Sequence, residues 1–289
     1  MIAKKHEGSR TEKIKPITAP SENEIAQILA LKEKCEQRLG IGIVLSGDFL
    51  RTLDKPGVGA FGYMKGTEYI GFSFFFSILK EEAEASIFAD PDEGHERVRS
   101  DLLQKTIEEC KLRGHVRLLV VNDRRQSNGV ALIQAAGGKL VFSEHRMVSH
   151  GEPLPPERHI ILREVGNDEA QLRDIEFECF DRFYSKPDQK RYLAMFLGNP
   201  IGKIDVCQDG PDVELSGFCV LPNLRGQGLG KAILRSVVIL LRNEGKERIT
   251  LDVQTDNDVA LSLYLKSGFD KEFTLDYYAI SLEDMISDK

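Results

Sequence analysis

The run Arg225-Gly226-Gln227-Gly228-Leu229-Gly230-Lys231 sets three glycines between two cations. Upstream, Val213 to Leu221 is apolar and strand-like; downstream, about Gly228 to Asn243 has the apolar spacing of a helix. A glycine turn between strand end and helix start leaves several backbone N–H groups unpaired and aims them at one volume, where the helix dipole adds partial positive charge. Gly228 and Gly230 lack Cβ atoms and admit an anion to the main chain, while Arg225 and Lys231 add full charges nearby. The ligand such a turn suits is a pyrophosphate. Two other phosphate loops fail on spacing. A dinucleotide fingerprint needs G-x-G-x-x-G, and a P-loop needs G-x-x-x-x-G-K-[ST], whereas Lys231 precedes Ala232 and position 225 is arginine. The turn by itself leaves open a plain connection from strand to helix.

The elements around the turn form an α/β pattern. "RHIILREV" reads as a strand, "DEAQLRDIEFECFDRF" as a helix, and "YLAMFLGN" and "GKIDVCQ" as strands before Val213. After the helix come a strand "RITLDVQ", a helix "DVALSLYLKSG" closed at Gly268, and a last strand "LDYYAISL". Meander plus strand-helix-strand crossover predicts a sheet covered by helices. The pattern occurs twice. At a shift of 131 residues Ile70-Gly71 falls on Ile201-Gly202, "FADP" ending at Pro91 on "CVLP" ending at Pro222, and Leu103 on Leu234. "NGVALIQAAGG" from Asn128 likewise parallels "NDVALSLYLKSGF" from Asn257. Between the copies lies "HGEPLPPER", His150 to Arg158, whose prolines remove amide donors and mark a linker.

Composition sets outer limits. With 289 residues, 41% hydrophobic and 29% charged, the chain is long enough for two cores and reads as soluble. Five cysteines without C-x-x-C spacing point to neither a disulfide framework nor a zinc site, and metal is not expected. "MIAKKHEGSRTEKIKP" has no apolar signal core, and no run approaches the roughly 18 residues that cross a bilayer, so a cytoplasmic protein without a membrane partner is expected. A net charge of -7 offers no basic stripe for nucleic acid and favours a cationic partner.

Arg225, Gly228 and Gly230 satisfy the motif [QR]-x-x-G-x-[GA], and Asn257, Ala260, Tyr264 and Gly268-Phe269 satisfy a second signature. With both, the chain from 157 onward resembles the GNAT superfamily of N-acetyltransferases, which use acyl-CoA. Residues 25–150 look like a second, degenerate copy, as in tandem members resembling mycothiol synthase. The fold class implied is α/β: two tandem GNAT-like lobes, each a mixed, mostly antiparallel twisted sheet flanked by helices. The expected layout is a flexible segment 1–24, a degenerate lobe 25–150, a linker 151–158 and a catalytic lobe 159–289.

The resemblance implies roles. Amides of Arg225, Gly226, Gln227, Gly228, Leu229 and Gly230 would hold the pyrophosphate of acetyl-CoA, the cosubstrate. Backbone groups of Phe218 and Val220 would pair with the pantetheine arm like an added strand, and Asn257 would meet the cofactor near its thiol. A bulge is expected at Gly217. Acetyl would pass directly to a primary amine, with a strand amide near Val220 polarising the carbonyl. An ammonium of pKa roughly 10 must lose a proton before it attacks, and the departing thiolate gains from a donor. Glu214 and Tyr264 are the candidate base and acid. Two readings of Glu214 stand, a base or a salt-bridged strand residue with a water chain in its stead. Asp252, Asp256 and Asp258 read as loop and cap residues, and Cys219 as packing.

The first copy departs where it matters. "GHERVR" replaces "RGQGLG", so Arg97 and Arg99 stand in place of Gly228 and Gly230, and the tyrosine is missing. This half is expected not to bind CoA in the same way. Arg97, Arg99 and Arg124–Arg125 are either a solvated basic face or a different anion site. "GFSFFFSI" from Gly71 reads as a buried strand. The acceptor is a small-molecule or peptide amine, met by variable loops such as the one with Asp181, Phe183 and Tyr184. A monomer and a homodimer both fit the two-lobed layout. The alternative function is a non-catalytic CoA-sensing or partner-binding module.

Overall fold

The computed structural model describes residues 12–166, 170–180, 189–209 and 212–283. The chain divides into two compact units, residues 1–143 with 275–289, and residues 144–274. Asp181, Phe183 and Tyr184 lie outside the described residues.

In the first unit, strands β1 (Glu12–Pro16), β2 (Val58–Lys65), β3 (Glu68–Leu79) and β4 (Glu82–Ala89) pair antiparallel in sequence, and β4 pairs parallel with β5 (Arg117–Asp123). Helices α1 (Glu22–Leu39), α2 (Gly47–Leu50), α3 (His95–Leu112) and α4 (Ser127–Ala135) flank this sheet. Buried phenylalanines of β3 supply much of its core: Phe72 and Phe74 pack with α1 and Phe75 with α3, as expected of that aromatic run.

In the second unit the order runs β7 (Ile161–Val165), β8 (Lys190–Phe196), β9 (Asn199–Asp209) and β10 (Asp212–Val220), all antiparallel. β10 then pairs parallel with β11 (Arg248–Gln254). Helices α5 (Ala170–Phe180), α6 (Leu229–Asn243) and α7 (Asp258–Lys266) complete it. Helix α6 buries Leu229, Ala232, Ile233, Leu234, Val237, Val238 and Leu241, a continuous stripe at helical spacing. At about 1.5–3 kcal/mol for each large side chain, that stripe anchors the helix and fixes where its N-terminus points. The element bounds repeat at the expected offset: Arg117–Asp123 and Ser127–Ala135 recur as Arg248–Gln254 and Asp258–Lys266, each 131 residues on.

The expected layout is corrected in two places. Within the segment 1–24, Glu12–Pro16 form β1, which borrows backbone partners from β2 in five registered pairs. Ser21 closes a capping box with Glu24 at the head of α1. The units also divide away from the proline linker. Strand β6 (Lys139–Ser149) crosses the division at 143/144, and its residues Glu144–Ser149 pair with β11 in the second unit. Strand β12 (Phe269–Ser281) crosses at 274/275, and Leu275–Ser281 pair with β5 in the first unit. Residues 151–158 fall inside the second unit, where Arg235 Nη1 donates to the Pro155 carbonyl at 3.1 Å and Lys231 pairs with Glu157 at 2.5 Å.

Candidate active site

β10 meets β11 only at Asp212–Glu214, opposite Arg248–Thr250, and the two strands then part. Between Ser216 and Cys219 the register of β10 against β9 slips by one residue, centred on Gly217 at φ +52°. This is the expected bulge, and it has a physical cause. A Cβ at Gly217 would stand 2.4 Å from Asp205 Oδ2 and 3.1 Å from Lys203 Nζ. Those two belong to a buried ion network in which Lys203 Nζ reaches Asp205 at 2.7 Å and Glu176 at 2.5 Å, with Arg191 alongside.

The bulge reverses which face each residue takes. Val213 and Leu215 pack into the α6 core before it, and Phe218 and Val220 after it. Cys219 turns instead to the α5 cluster with Leu172, Ile175 and Leu193; burial raises its thiol pKa, as suits packing. By alternation, Glu214 and Ser216 also face the α5 side. Glu214 and Phe218 therefore do not share a face.

Where the strands part, a cavity of about 180 Å³ passes through the sheet. Leu215, Phe218, Leu234, Leu251 and Tyr264 line it on the α6 side, and Ser216, Asp252 and Phe180 on the α5 side. Tyr264 packs between Phe218 and Phe269, with ring centroids 6.5 and 6.3 Å away. Its hydroxyl has no hydrogen-bond partner among the described residues, and burial lifts its pKa to about 12. Across the gap, Arg146 Nη1 donates to Asp252 Oδ2 at 2.6 Å and to Glu214 Oε2 at 2.9 Å. Two carboxylates share one guanidinium. Burial pushes the Asp252 pKa up to about 6; Arg146 opposes the shift, and the charges of Glu214 and Glu144 add to it. Asp252 Oδ1 is shielded from solvent and unbonded among the described residues. Glu214 does not line the cavity and is held by Arg146, the salt-bridged arrangement; Asp252, expected as a loop residue, takes the position facing the gap.

The glycine turn lies at the head of α6. Gly226 and Gly228 have φ of +75° and +79°, and a Cβ on either would meet nothing within 4 Å. Gly228 is the N-cap and supplies no side-chain acceptor, unlike Ser21 on α1 or Asn257 on α7. Among the described residues, the amides of Gly226, Gln227, Gly228, Leu229 and Gly230 have no partner. A cradle open to the outside, with five free donors and a helix dipole behind them, fits a diphosphate.

Several expected details change. The Arg225 amide donates to Pro222 O at 3.3 Å and its Nε to Val220 O at 3.0 Å, so Arg225 braces the turn from within. The Val220 carbonyl is thereby engaged. Lys231 is paired with Glu157. Asn257 Oδ1 accepts from Ala260 N at 3.1 Å as the cap of α7, and the residue is exposed, away from the cavity lining. A Cβ at Gly230 would lie 3.3 Å from Leu263 Cδ2, close enough that this side chain would have to give by a few tenths of an ångström.

Residues 158–269 match the Acetyltransferase (GNAT) family. This region is similar to GNAT acetyltransferase domains. The chain is 30% identical over 105 residues to the L-amino acid N-acetyltransferase AaaT of Escherichia coli (strain K12), covering 35% of this chain and 65% of that protein, under two thirds of its length. Among solved structures, the GCN5-related N-acetyltransferase from Sphaerobacter thermophilus superposes with a TM-score of 0.74 at 17% identity, over 93% of this chain and 96% of that one. A tandem GNAT protein from the clavulanic acid biosynthesis pathway superposes at 0.71 and 14% identity, over 94% and 99%. The fold is thus two tandem GNAT-like lobes with mostly antiparallel sheets. No helix among the described residues is long and apolar enough to cross a membrane.

Proposed function

We propose that this chain is an acetyl-CoA-dependent N-acetyltransferase that moves acetyl directly to a primary amine of a small molecule or peptide, with one working site, in the second unit. The observation that carries this reading is the set of five unpartnered amides, Gly226 to Gly230, at the head of an uncapped helix beside a cavity that pierces the sheet. When bound, acetyl-CoA supplies an acyl group activated as a thioester. The amides of 226–230 hold its diphosphate, and the unladdered edge of β10 at Phe218 and the Val220 amide pairs with the pantetheine arm. Tyr264, protonated and unbonded, gives a proton on the α6 side, toward the leaving sulfur. On the other side, Asp252 takes the proton of the incoming ammonium, and Arg146 and Glu214 hold it in position. One guanidinium against two carboxylates leaves a net negative charge there, which draws a cationic acceptor. Separating acid from base across the sheet keeps the two from exchanging protons with each other.

The first unit is read as a degenerate copy with the same element spacing but with Arg97 and Arg99 at the head of α3. The similarity to AaaT makes L-amino acids the first acceptors to try, followed by polyamines and short peptides. Thiol release from acetyl-CoA is measured with the full chain against that panel. Amine-dependent release is expected. CoA binding with no release for any amine would make the protein a CoA-sensing module, and absence of CoA binding would overturn the whole reading.

A further inference from the structure

Four arginines of the first unit were candidates for an anion site, and three of them are neutralised locally: Arg97 by Glu12, Arg124 by Asp276 and Arg125 by Asp123. Arg99 is not. It is 3% exposed on α3, and among the described residues no carboxylate oxygen comes within 4.0 Å of it. Its one hydrogen bond runs from Nη2 to the neutral amide oxygen of Asn122 at 3.3 Å. Asn122 is itself fixed, since its Nδ2 donates to the carbonyls of Asp123 and Gln126 at 2.7 and 3.2 Å. The Arg99 Nε is shut off from solvent with no partner. Burial lowers the guanidinium pKa to about 10, so the group stays charged at neutral pH. A desolvated cation without a counter-charge is among the least favourable arrangements in a protein interior.

The chain nevertheless makes room for it. A Cβ at Gly129 would fall 2.0 Å from Asn122 Oδ1 and under 3 Å from both terminal nitrogens of Arg99. The guanidinium lines a cavity of about 200 Å³ with Glu96, Asn128, Ala131 and Leu132, beside the first turn of α3, whose N-cap Gly94 makes no side-chain cap bond. Exposed Glu96 is tied to Asn128 Nδ2 at 3.2 Å and sets a negative charge at the rim. That charge repels an extended polyanion and leaves space for a single oxyanion group.

We propose that the pocket between α3 and α4 binds a small oxyanion, one phosphate or carboxylate group, on Arg99. The ligand supplies the missing counter-charge and accepts from the guanidinium in a site that the turn at 225–230 does not share.

The test is 15N NMR of the arginine Nε–H groups in the full-length protein, with the Arg99 signal assigned by its loss in Arg99→Met. Sodium phosphate, sodium acetate and CoA are titrated separately, with chloride holding ionic strength constant. A saturable shift of the Arg99 signal by phosphate or acetate, at about millimolar Kd or tighter, is expected, and which of the two acts names the source. Ala131→Phe, on the exposed face of α4, fills the pocket while leaving Arg99 in the chain and is expected to weaken that shift at least about tenfold. It keeps the test open should Arg99→Met fail to fold. No saturable shift from phosphate or acetate up to about 20 mM, or the same shift in Ala131→Phe, overturns the proposal.

Discussion

Asp252 and Tyr264 face one cavity from opposite sides of the gap between β10 and β11, the carboxylate on the α5 side and the phenol on the α6 side. Since the two side chains reach the gap from different strands and helices, each can be removed without disturbing the other, and their contributions are separable.

Asp252→Asn should lower kcat by about 10²–10⁴-fold, the usual yield of a positioned base, with CoA affinity unchanged by calorimetry. The group must be ionised to accept a proton. Wild-type kcat at saturating amine should therefore fall as pH drops through about 6, the value to which burial raises the Asp252 pKa. The charge of Glu214 contributes to that rise, so Glu214→Gln should move the acid limb to lower pH rather than abolish turnover. An acid limb that survives Asp252→Asn unaltered would place the base elsewhere.

Tyr264→Phe keeps the ring contacts with Phe218 and Phe269 and removes only the hydroxyl. A loss of about 10²-fold in kcat is expected, with the CoA dissociation constant within a factor of about two. With a pKa of about 12, Tyr264 stays protonated throughout the working range, and no alkaline limb below pH 10 should vanish in the variant. Full activity in Tyr264→Phe would remove it from the mechanism.

Gly228→Ala meets no neighbouring atom, so its effect isolates backbone conformation. Holding alanine at φ +79° costs about 1–2 kcal/mol, and relaxation of the turn would swing the free amides off target. A loss in urea-unfolding stability of that size, with CoA affinity down about tenfold or more, is expected. Unchanged affinity would show that the turn does not hold the diphosphate.

Gly217→Ala acts differently, because a Cβ there collides with Asp205 of the buried ion network. Both it and Lys203→Met, which leaves Glu176 and Asp205 with only the more distant Arg191, should cost about 3–5 kcal/mol in denaturant unfolding. The double variant should lose less than the sum, as residues of one network do.

What the sequence disclosed was local. The stripe of α6, the glycine turn at its head, the strand Arg248–Gln254 and the bulge at Gly217 are all written in neighbouring residues, through period, turn chemistry and the tolerance of glycine for positive φ. The site's carboxylate was hidden because its meaning lies in register. Asp252 stands directly opposite Arg146, which comes from a strand 106 residues earlier and before the proline linker. The cation nearest to Asp252 along β11, Arg248, is paired with Glu272 instead. Glu214 and Phe218 lie on opposite faces because the one-residue slip in β10, at the bulge expected at Gly217, breaks the alternation between them. β1 escaped notice for a similar reason: Glu12-Lys13-Ile14-Lys15-Pro16 is too polar to read as a strand until β2 offers its edge.

Because β6 and β12 each run from one unit into the other, a cut at the proline linker leaves neither unit with all of its strands. A polypeptide beginning after codon 150 would arrive without Glu144–Ser149, leaving β11 bare along one edge and Asp252 beside Glu214 without Arg146 to bridge them. The upstream fragment would lack Leu275–Ser281 and expose β5 in turn. Trimming at that point would thus strip the second unit of a strand its own sheet uses.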